Sequence, residues 1–159
     1  MDKNTRFLIA NNLTWGRSWQ EAKQIFTKAK KVTGAEKDLN ITTDGLLAYP
    51  HAIGSTFHRI NDWKHNHSIK HNVGGIRGKI NNNRVERYHG SFRARDKVMR
   101  AFKKYNRTKD YLKNFRLYYN FLRKHQALDG KTPAQASGIN VPNNWKGLLR
   151  ASLKNKVTL

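Results

Sequence analysis

A large excess of positive charge limits how this chain can fold. Its 159 residues carry 32 lysines and arginines against 10 aspartates and glutamates, which gives a formal net charge of +22. A compact chain with this imbalance repels itself, and a bound polyanion relieves the repulsion. Only 37% of the residues are hydrophobic. We therefore expect a single domain whose modest core relies on aromatic side chains.

Nucleic acid is the polyanion that this composition favours, because phosphates that bind lysine and arginine release their counterions. A membrane surface is the weaker alternative, since no stretch approaches the roughly 18 apolar residues of a spanning helix. The absence of cysteine excludes disulfides and thiolate metal sites. The opening MDKNTRFLIA lacks the apolar core and cleavage site of a signal peptide. These features predict a cytoplasmic, nucleic-acid-associated protein with no membrane partner.

Apolar spacing predicts alternating strands and helices, the order typical of an α/β fold. Thr5–Thr14 and Leu39–Gly45 have the pattern of buried strands, and Phe57–Trp63 has that of a third strand. Between the first two strands, Ser18 has a glutamate three residues later, which is the spacing of a capping box. The helix that it begins is expected to end near Gly34.

Further helices are predicted along the rest of the chain. Leu46–Ile53 favours a short helical turn, and Lys64–Asn83 reads as a Gly/Asn/His-rich loop. A heptad-spaced stripe then predicts a long helix; its members are Val85, Tyr88, Phe92, Met99 and Phe102. Thr108 is expected to cap another helix. Lys131–Ser137 is expected to form a last short helix with Pro133 in its first turn.

Two acidic residues stand out in these basic surroundings. Asp44 ends the second predicted strand, and Glu86 lies in the first turns of the helix after the Asn triplet. Taken singly, Asp44 is typical of a turn, and Glu86 of an acid at the positive end of a helix. Taken together in a basic groove, they suit phosphoryl transfer on nucleic acid, because hard divalent cations need oxygen ligands.

Basic side chains around the second acid are expected to bind DNA phosphates. They are Arg77, Lys79, Arg84, Arg87, Arg93, Arg95 and Lys97. The spacing of His65, His67 and His71 also suits a metal site, but solvated imidazoles lack orienting partners, so DNA contact or plain exposure is the preferred interpretation. Trp15 and Trp19 are interpreted as core or edge aromatics, with base stacking as the alternative.

Three motifs in order resemble the catalytic domain of DDE-type insertion-sequence transposases, relatives of retroviral integrases with a ribonuclease H-like fold. TTDGLLAYP (42–50) is similar to the segment that bears the second catalytic acid. NNNRVERYHGSFRARDKVMRAF (81–102) is similar to the helix that bears the final glutamate, and YNFLRKHQALDGKTPAQASGI (119–139) to the closing stretch. The resemblance predicts a partial DDE domain over residues 1–139 and a basic C-terminal tail over residues 140–159.

The resemblance implies that Asp44 and Glu86 are catalytic ligands of Mg²⁺ (or Mn²⁺). The family cleaves transposon ends and joins the freed 3′-hydroxyl to target DNA. Forty-one residues separate the two acids, slightly more than is common in the family. The implied partners are transposon-end and target DNA, together with further copies of the chain or full-length transposase in a mixed assembly.

The resemblance also implies a departure from the family pattern. The family's first catalytic aspartate lies on a strand that precedes the matched segment, and Asp2 falls at a non-catalytic position. We therefore expect a ribonuclease H-like fold without its first two strands, a three-strand remnant, and an inactive chain on its own. The alternative is a non-catalytic DNA-binding remnant or regulator of a full-length transposase. A basic RNA-binding protein would explain the charge but not the ordered motifs.

Overall fold

The computed structural model describes residues 1–34, 39–57, 69–74, 81–142 and 144–155. The chain forms two compact units. The terminal unit joins Met1–Asn11 to Met99–Leu159, and the central unit is Asn12–Val98.

The central unit begins with helix α1 (Trp19–Thr33). The Ser18 hydroxyl accepts a hydrogen bond from the Glu21 amide at 3.3 Å, and the Glu21 carboxylate accepts one from the Ser18 amide at 2.9 Å. Gly34 ends the helix in the left-handed conformation, with φ of 63°. The predicted capping box and the predicted helix end are confirmed.

The sheet of the central unit has two parallel strands, β1 (Asn40–Thr43) and β2 (Lys70–Val73). Their register places Thr43 opposite Val73. The prediction of β1 is confirmed, whereas the prediction of a loop over Lys64–Asn83 is wrong for β2. The sequence of β2, KHNV, contains a single apolar residue. Its pairing with β1 defines it as a strand, and apolar periodicity does not reveal such pairing.

Helix α2 (Ala48–Phe57) follows β1 and is longer than the predicted turn. It packs on α1 through aromatic contacts: the Phe26 ring lies 6.1 Å from that of Tyr49 and 6.3 Å from that of Phe57, measured between centroids. Phe57 is the last residue of a helix, so the predicted strand Phe57–Trp63 does not begin there. Residues 58–63 lie outside the described residues.

Helix α3 (Asn83–Val98) completes the central unit. Tyr88 is its buried side chain, with 4% of its surface exposed. The predicted apolar stripe does not continue past the helix, because Arg100 and Ala101 adopt positive φ values of 56° and 72°. Met99 is accordingly exposed, which corrects its assignment to the buried stripe.

The terminal unit contains helices and helical turns. In chain order they are α4 (Tyr105–Leu117), a π-helical turn (Tyr118–Leu122), a 3₁₀ turn (Gln126–Leu128), α5 (Pro133–Ala136) and α6 (Trp145–Asn155). The short helix with Pro133 in its first turn is confirmed. The α6 helix was not predicted for the basic tail. None of the helices among the described residues is long and apolar enough to span a membrane.

Thr108 lies inside α4 and is not its cap. The helix begins after Lys104, and the Thr108 hydroxyl donates a hydrogen bond to the Lys104 carbonyl at 2.9 Å. A threonine within a helix commonly bonds the carbonyl one turn earlier in this way. The predicted capping role is therefore wrong, although a helix is present.

The segment predicted as the first strand, Thr5–Thr14, contains no strand residue. Leu8 is buried, yet its backbone bonds to a side chain: its amide donates to Oδ1 of Asn120 at 2.8 Å, and its carbonyl accepts from Nδ2 at 3.1 Å. Because one asparagine satisfies both backbone groups, Leu8 needs no neighbouring strand. The described residues thus contain two strands, and the expected three-strand remnant is not observed among them.

Candidate active site

Asp44 lies at the carboxyl edge of the two-stranded sheet. It directly follows β1, and the amide of Gly74, which directly follows β2, donates to the Thr43 carbonyl at 2.8 Å. The Asp44 side chain is exposed, and its Oδ1 accepts a hydrogen bond from the Leu46 amide at 3.4 Å. The carboxyl ends of parallel strands are where α/β proteins commonly bind ligands.

The residue after Asp44 must be a glycine. Gly45 has φ of 88°, in the left-handed region. A Cβ atom at this position would lie 2.9 Å from Cγ1 of Val73 on the neighbouring strand. The Asp44-Gly45 pair therefore combines an acid with a turn that passes close to β2.

Glu86 lies in the first turn of α3. The amides of Val85 and Glu86 both donate to the Asn82 carbonyl, at 3.0 and 3.1 Å, which begins the helix after the Asn triplet. The Glu86 side chain is exposed. Its carboxylate is stabilised by the positive end of the helix dipole. Among the described residues it forms no salt bridge with Arg84 or Arg87.

The central unit brings the two acids to a common neighbour, the imidazole of His89. Desolvation lowers the pKa of His89, the Glu86 carboxylate raises it, Arg93 lowers it, and the Asp44 carboxylate raises it. Both acids therefore lie within electrostatic reach of one ring. Asp44 also acts on Tyr49, whose pKa is raised chiefly by desolvation and further by this carboxylate.

Sequence patterns did not indicate a role for His89, for Tyr49 or for a third neighbour, Arg17, whose charge lowers the pKa of Tyr49. His89 had a detectable signal, since residues three apart on a helix lie on the same face and it follows Glu86 at that spacing. No signal in the sequence indicated that the Asp44 carboxylate acts on His89, because Asp44 is distant from it in sequence.

The predicted basic residues on α3 are all exposed; they are Arg84, Arg87, Arg93, Arg95 and Lys97. With about 100° of rotation per residue, Arg93 and Lys97 share the face of Glu86, whereas Arg84 and Arg95 lie on the opposite side of the helix. The predicted phosphate-binding set is therefore divided between two faces. Arg77 and Lys79 lie outside the described residues.

Some of the histidines and tryptophans that had alternative interpretations in the sequence lie among the described residues. His71 lies on β2, and its Nε2 is 2.9 Å from the Thr43 hydroxyl, so it is not a solvated loop residue. His65 and His67 lie outside the described residues. Trp15 is 85% exposed. Trp19 contacts His51 edge to face, with ring centroids 4.3 Å apart.

The donor chemistry of Asp44 and Glu86 fits a divalent cation in part. Both offer exposed carboxylate oxygens, the ligands that Mg²⁺ and Mn²⁺ prefer. Within the described ranges, however, no group of three or more His, Cys, Asp or Glu side chains is placed to hold a metal ion. Among the residues that the structure describes, the two acids therefore form a pair of oxygen ligands without a third such side chain placed beside them.

Asp2 is committed to a local turn in the terminal unit. Its carboxylate accepts hydrogen bonds from the amides of Asn4 and Thr5, at 3.1 and 2.7 Å, and from the Thr5 hydroxyl at 2.6 Å. Desolvation acts to raise the pKa of Asp2, but these bonds hold it below its usual value.

Comparison with known proteins identifies the family. A family model described as a DDE domain, from insertion-sequence transposases, matches residues 1–126. Searches of the curated proteins and of the solved structures give no significant match. The matched range covers most of the chain and includes Asp44, Glu86 and the whole central unit. The chain belongs to the DDE-type insertion-sequence transposases, and its matched residues derive from their catalytic domain.

Proposed function

We propose that this protein is derived from a transposase that cleaves transposon ends and joins the 3′-hydroxyl to target DNA, with a ribonuclease H-like fold. Asp44 and Glu86 are the acids of its active site. The observation that carries the proposal is the position of the two acids, one at the end of β1 and one in the first turn of α3, within one unit and within the range that matches the family.

Asp44 and Glu86 would hold the divalent cation, Mg²⁺ or Mn²⁺. When bound, such a cation supplies Lewis-acid activation of oxygen and neutralises phosphate charge. The carboxylates present oxygen ligands beside arginines that attract phosphates. Arg93 and Lys97, on the face of Glu86, bind the DNA backbone close to the acids, while Arg84, Arg87 and Arg95 contact more distant phosphates.

The 159-residue chain should bind DNA without joining it. Two carboxylates can bind a cation but are too few for strand transfer, because Mg²⁺ relies on several carboxylate and phosphate oxygens for its octahedral shell. Asp2 is occupied by its turn and does not complete the set. We therefore expect neither nicking nor joining of transposon ends in Mg²⁺ or Mn²⁺.

Fusing the first two strands of a full-length relative ahead of Met1 tests this account. The fusion should join transposon ends, and Asp44→Asn or Glu86→Gln should abolish joining. Asp110→Asn is the matched control, because Asp110 is an exposed acid paired with Lys113 at 3.3 Å. Joining that survives Glu86→Gln would contradict the assignment of the site.

DNA binding tests the phosphate contacts separately. Arg93→Ala with Lys97→Ala should weaken binding on every sequence and reduce the salt slope by roughly 0.9 per lost phosphate contact. Arg84→Ala with Arg95→Ala is the matched pair on the opposite face. It should weaken binding similarly but leave joining by bound fusion protein less affected. An affinity that does not change with salt would contradict both expectations.

A non-catalytic regulator is the second candidate, favoured by the net charge of +22. Such a protein would act at the nucleoid, in the cytoplasm of a prokaryotic cell, as a homo-oligomer or in a mixed assembly with full-length transposase. Adding the purified chain to an active relative distinguishes the mechanisms. Inhibition overcome by excess DNA indicates competition for sites, whereas inhibition that persists indicates mixed assembly.

A further inference from the structure

The hydroxyl of Thr43 lies between the two strands, immediately before Asp44. Thr43 is buried, with 7% of its surface exposed. Its Oγ1 is 2.9 Å from Nε2 of His71 in a hydrogen bond between the two side chains. The same oxygen accepts a longer hydrogen bond from the Gly45 amide at 3.5 Å. One hydroxyl thus bonds a residue on β2 and the amide that follows Asp44.

The strand register explains how His71 reaches this hydroxyl. His71 is paired with Ile41, and Thr43 with Val73. Because side chains alternate along a strand, Ile41 and Thr43 point to one face, and the partner His71 points to that face as well. The imidazole is long enough to extend one two-residue step toward the carboxyl edge, where β1 ends.

The direction of the Asp44 side chain depends on the backbone that these bonds hold. Its own hydrogen bond, from the Leu46 amide, is long at 3.4 Å. By contrast, the backbone before Asp44 is fixed by the Gly74 amide at 2.8 Å. The close approach of Gly45 to Val73 restricts the backbone after it. The Thr43 hydroxyl links these two fixed points.

We propose that Thr43 and His71 are positioning residues that orient Asp44 for cation binding. This inference rests on the proposed function of Asp44. It gives the histidine of β2 a role that requires no contact with the cation: the ring anchors the hydroxyl, and the hydroxyl holds the turn that presents the carboxylate. Groups that orient metal ligands commonly affect metal affinity about 10- to 100-fold when removed.

Mn²⁺ titration of the purified 159-residue chain, followed by electron paramagnetic resonance, tests the proposal without requiring activity. Thr43→Val keeps the side-chain shape and removes the hydroxyl, whereas Thr43→Ser keeps the hydroxyl. We expect Thr43→Val to weaken Mn²⁺ binding roughly 10-fold or more and Thr43→Ser to bind nearly as the parent does. His71→Phe should weaken binding, and His71→Gln, whose amide reaches a similar position to Nε2, should restore part of it.

Circular dichroism and thermal melting distinguish positioning from loss of structure. If Thr43→Val fails to fold, the comparison of His71→Phe with His71→Gln decides the question. Parental Mn²⁺ affinity in folded Thr43→Val or His71→Phe, with Asp44→Asn weakened, would overturn the positioning role alone. Equal Mn²⁺ binding by the parent and Asp44→Asn would overturn the proposed metal site and this inference with it.

Discussion

The two units place their characteristic polar side chains in opposite environments. In the terminal unit, Asn120, His125 and Thr132 are buried, with 2%, 8% and 0% of their surfaces exposed. In the central unit, Asp44 and Glu86 are exposed. All five lie in motifs that resemble the same family. The comparison teaches that a family motif can indicate either folding or chemistry, and that burial distinguishes the two.

The buried polar groups of the terminal unit are mostly paired. Asn120 bonds both backbone groups of Leu8, and Thr132 forms a capping box with Gln135. The ring of His125 packs on Tyr119 with centroids 4.8 Å apart, and the segment around it turns back through a bond from the Gly130 amide to the His125 carbonyl. The closing motif therefore stabilises this unit.

Positive charge does not follow the same division. The terminal unit contains half of the 32 lysines and arginines but only three of the ten acids. The central unit, with the candidate active site, is less unbalanced. Attraction to DNA is thus a property of both units, whereas the candidate chemistry belongs to one.

Removing the Asn120 side chain should have the largest effect on stability. Asn120→Ala leaves the buried amide and carbonyl of Leu8 without partners, at a cost of about 2 to 4 kcal/mol in the free energy of unfolding. Urea denaturation measures the loss. Asn106→Ala, at an exposed position of α4, is the control. Equal stability of the two variants would contradict a folding role for the closing motif.

The two capping boxes compare the units directly. Thr132→Ala should cost about 2 kcal/mol, at the upper end of the range for caps, because Thr132 is fully buried. Ser18→Ala should cost about 0.5 to 1 kcal/mol, because Ser18 is exposed and water replaces its hydroxyl. Thermal unfolding measures both, with Thr132→Ser and Ser18→Thr as hydroxyl-retaining controls. A larger loss at Ser18 would reverse the comparison.

Acid should destabilise the chain through His125. Desolvation by burial lowers the pKa of His125, and the charges of Arg123 and Arg6 lower it further. A hydrogen bond with the backbone of Tyr119 raises this pKa in part. Because the folded pKa lies below the unfolded value of about 6.5, the unfolded chain binds more protons between the two values. This contribution to stability is complete above about pH 6.5 and is lost as pH falls toward the lowered pKa.

Melting temperatures between about pH 5 and pH 8 should reveal this contribution. One titrating group changes the free energy of unfolding by at most about 1.4 kcal/mol per pH unit. His125→Phe should flatten the dependence, while Asn106→Ala, at an exposed position that does not titrate, should not. The pKa of His89 is also lowered, so a residual dependence should remain. An unchanged slope in His125→Phe would refute the role of His125.

The candidate acids should contribute least to stability. Asp44→Asn and Glu86→Gln alter exposed side chains and should change the free energy of unfolding by less than about 0.5 kcal/mol. The same variants should lose Mn²⁺ binding. A loss of stability comparable to that of Asn120→Ala would instead place these acids among the groups that hold the fold together.

Helix ends that depend on nearby residues were predictable from the sequence. Ser18 and Gly34 mark the ends of α1 within their own segment, and Pro133 marks α5. Elements with distant causes were not predictable. The polar strand β2 exists through its pairing with β1, and the backbone groups of Leu8 bond to Asn120, a residue 112 positions away.

The candidate site divides in the same way. Residue type and position singled out Asp44 and Glu86, and helical spacing alone could have added His89. No pattern indicated that His71 bonds the Thr43 hydroxyl, because that contact depends on strand register. Parallel strands take their register from the whole connection between them, so it cannot be read from either strand.

The π-helical turn Tyr118–Leu122 carries a consequence for how this gene can vary in length. A π turn holds one residue more than the α-helical turn that it replaces. Deleting a single codon within it would leave a regular helical turn, and the later side chains would keep nearly the same direction relative to α4, because the shorter α turn completes the same rotation. A deletion that removes Asn120 itself would take the amide away from Leu8. Single-residue deletions that spare Asn120 should therefore be more frequent among working relatives in this turn than within the regular turns of α4.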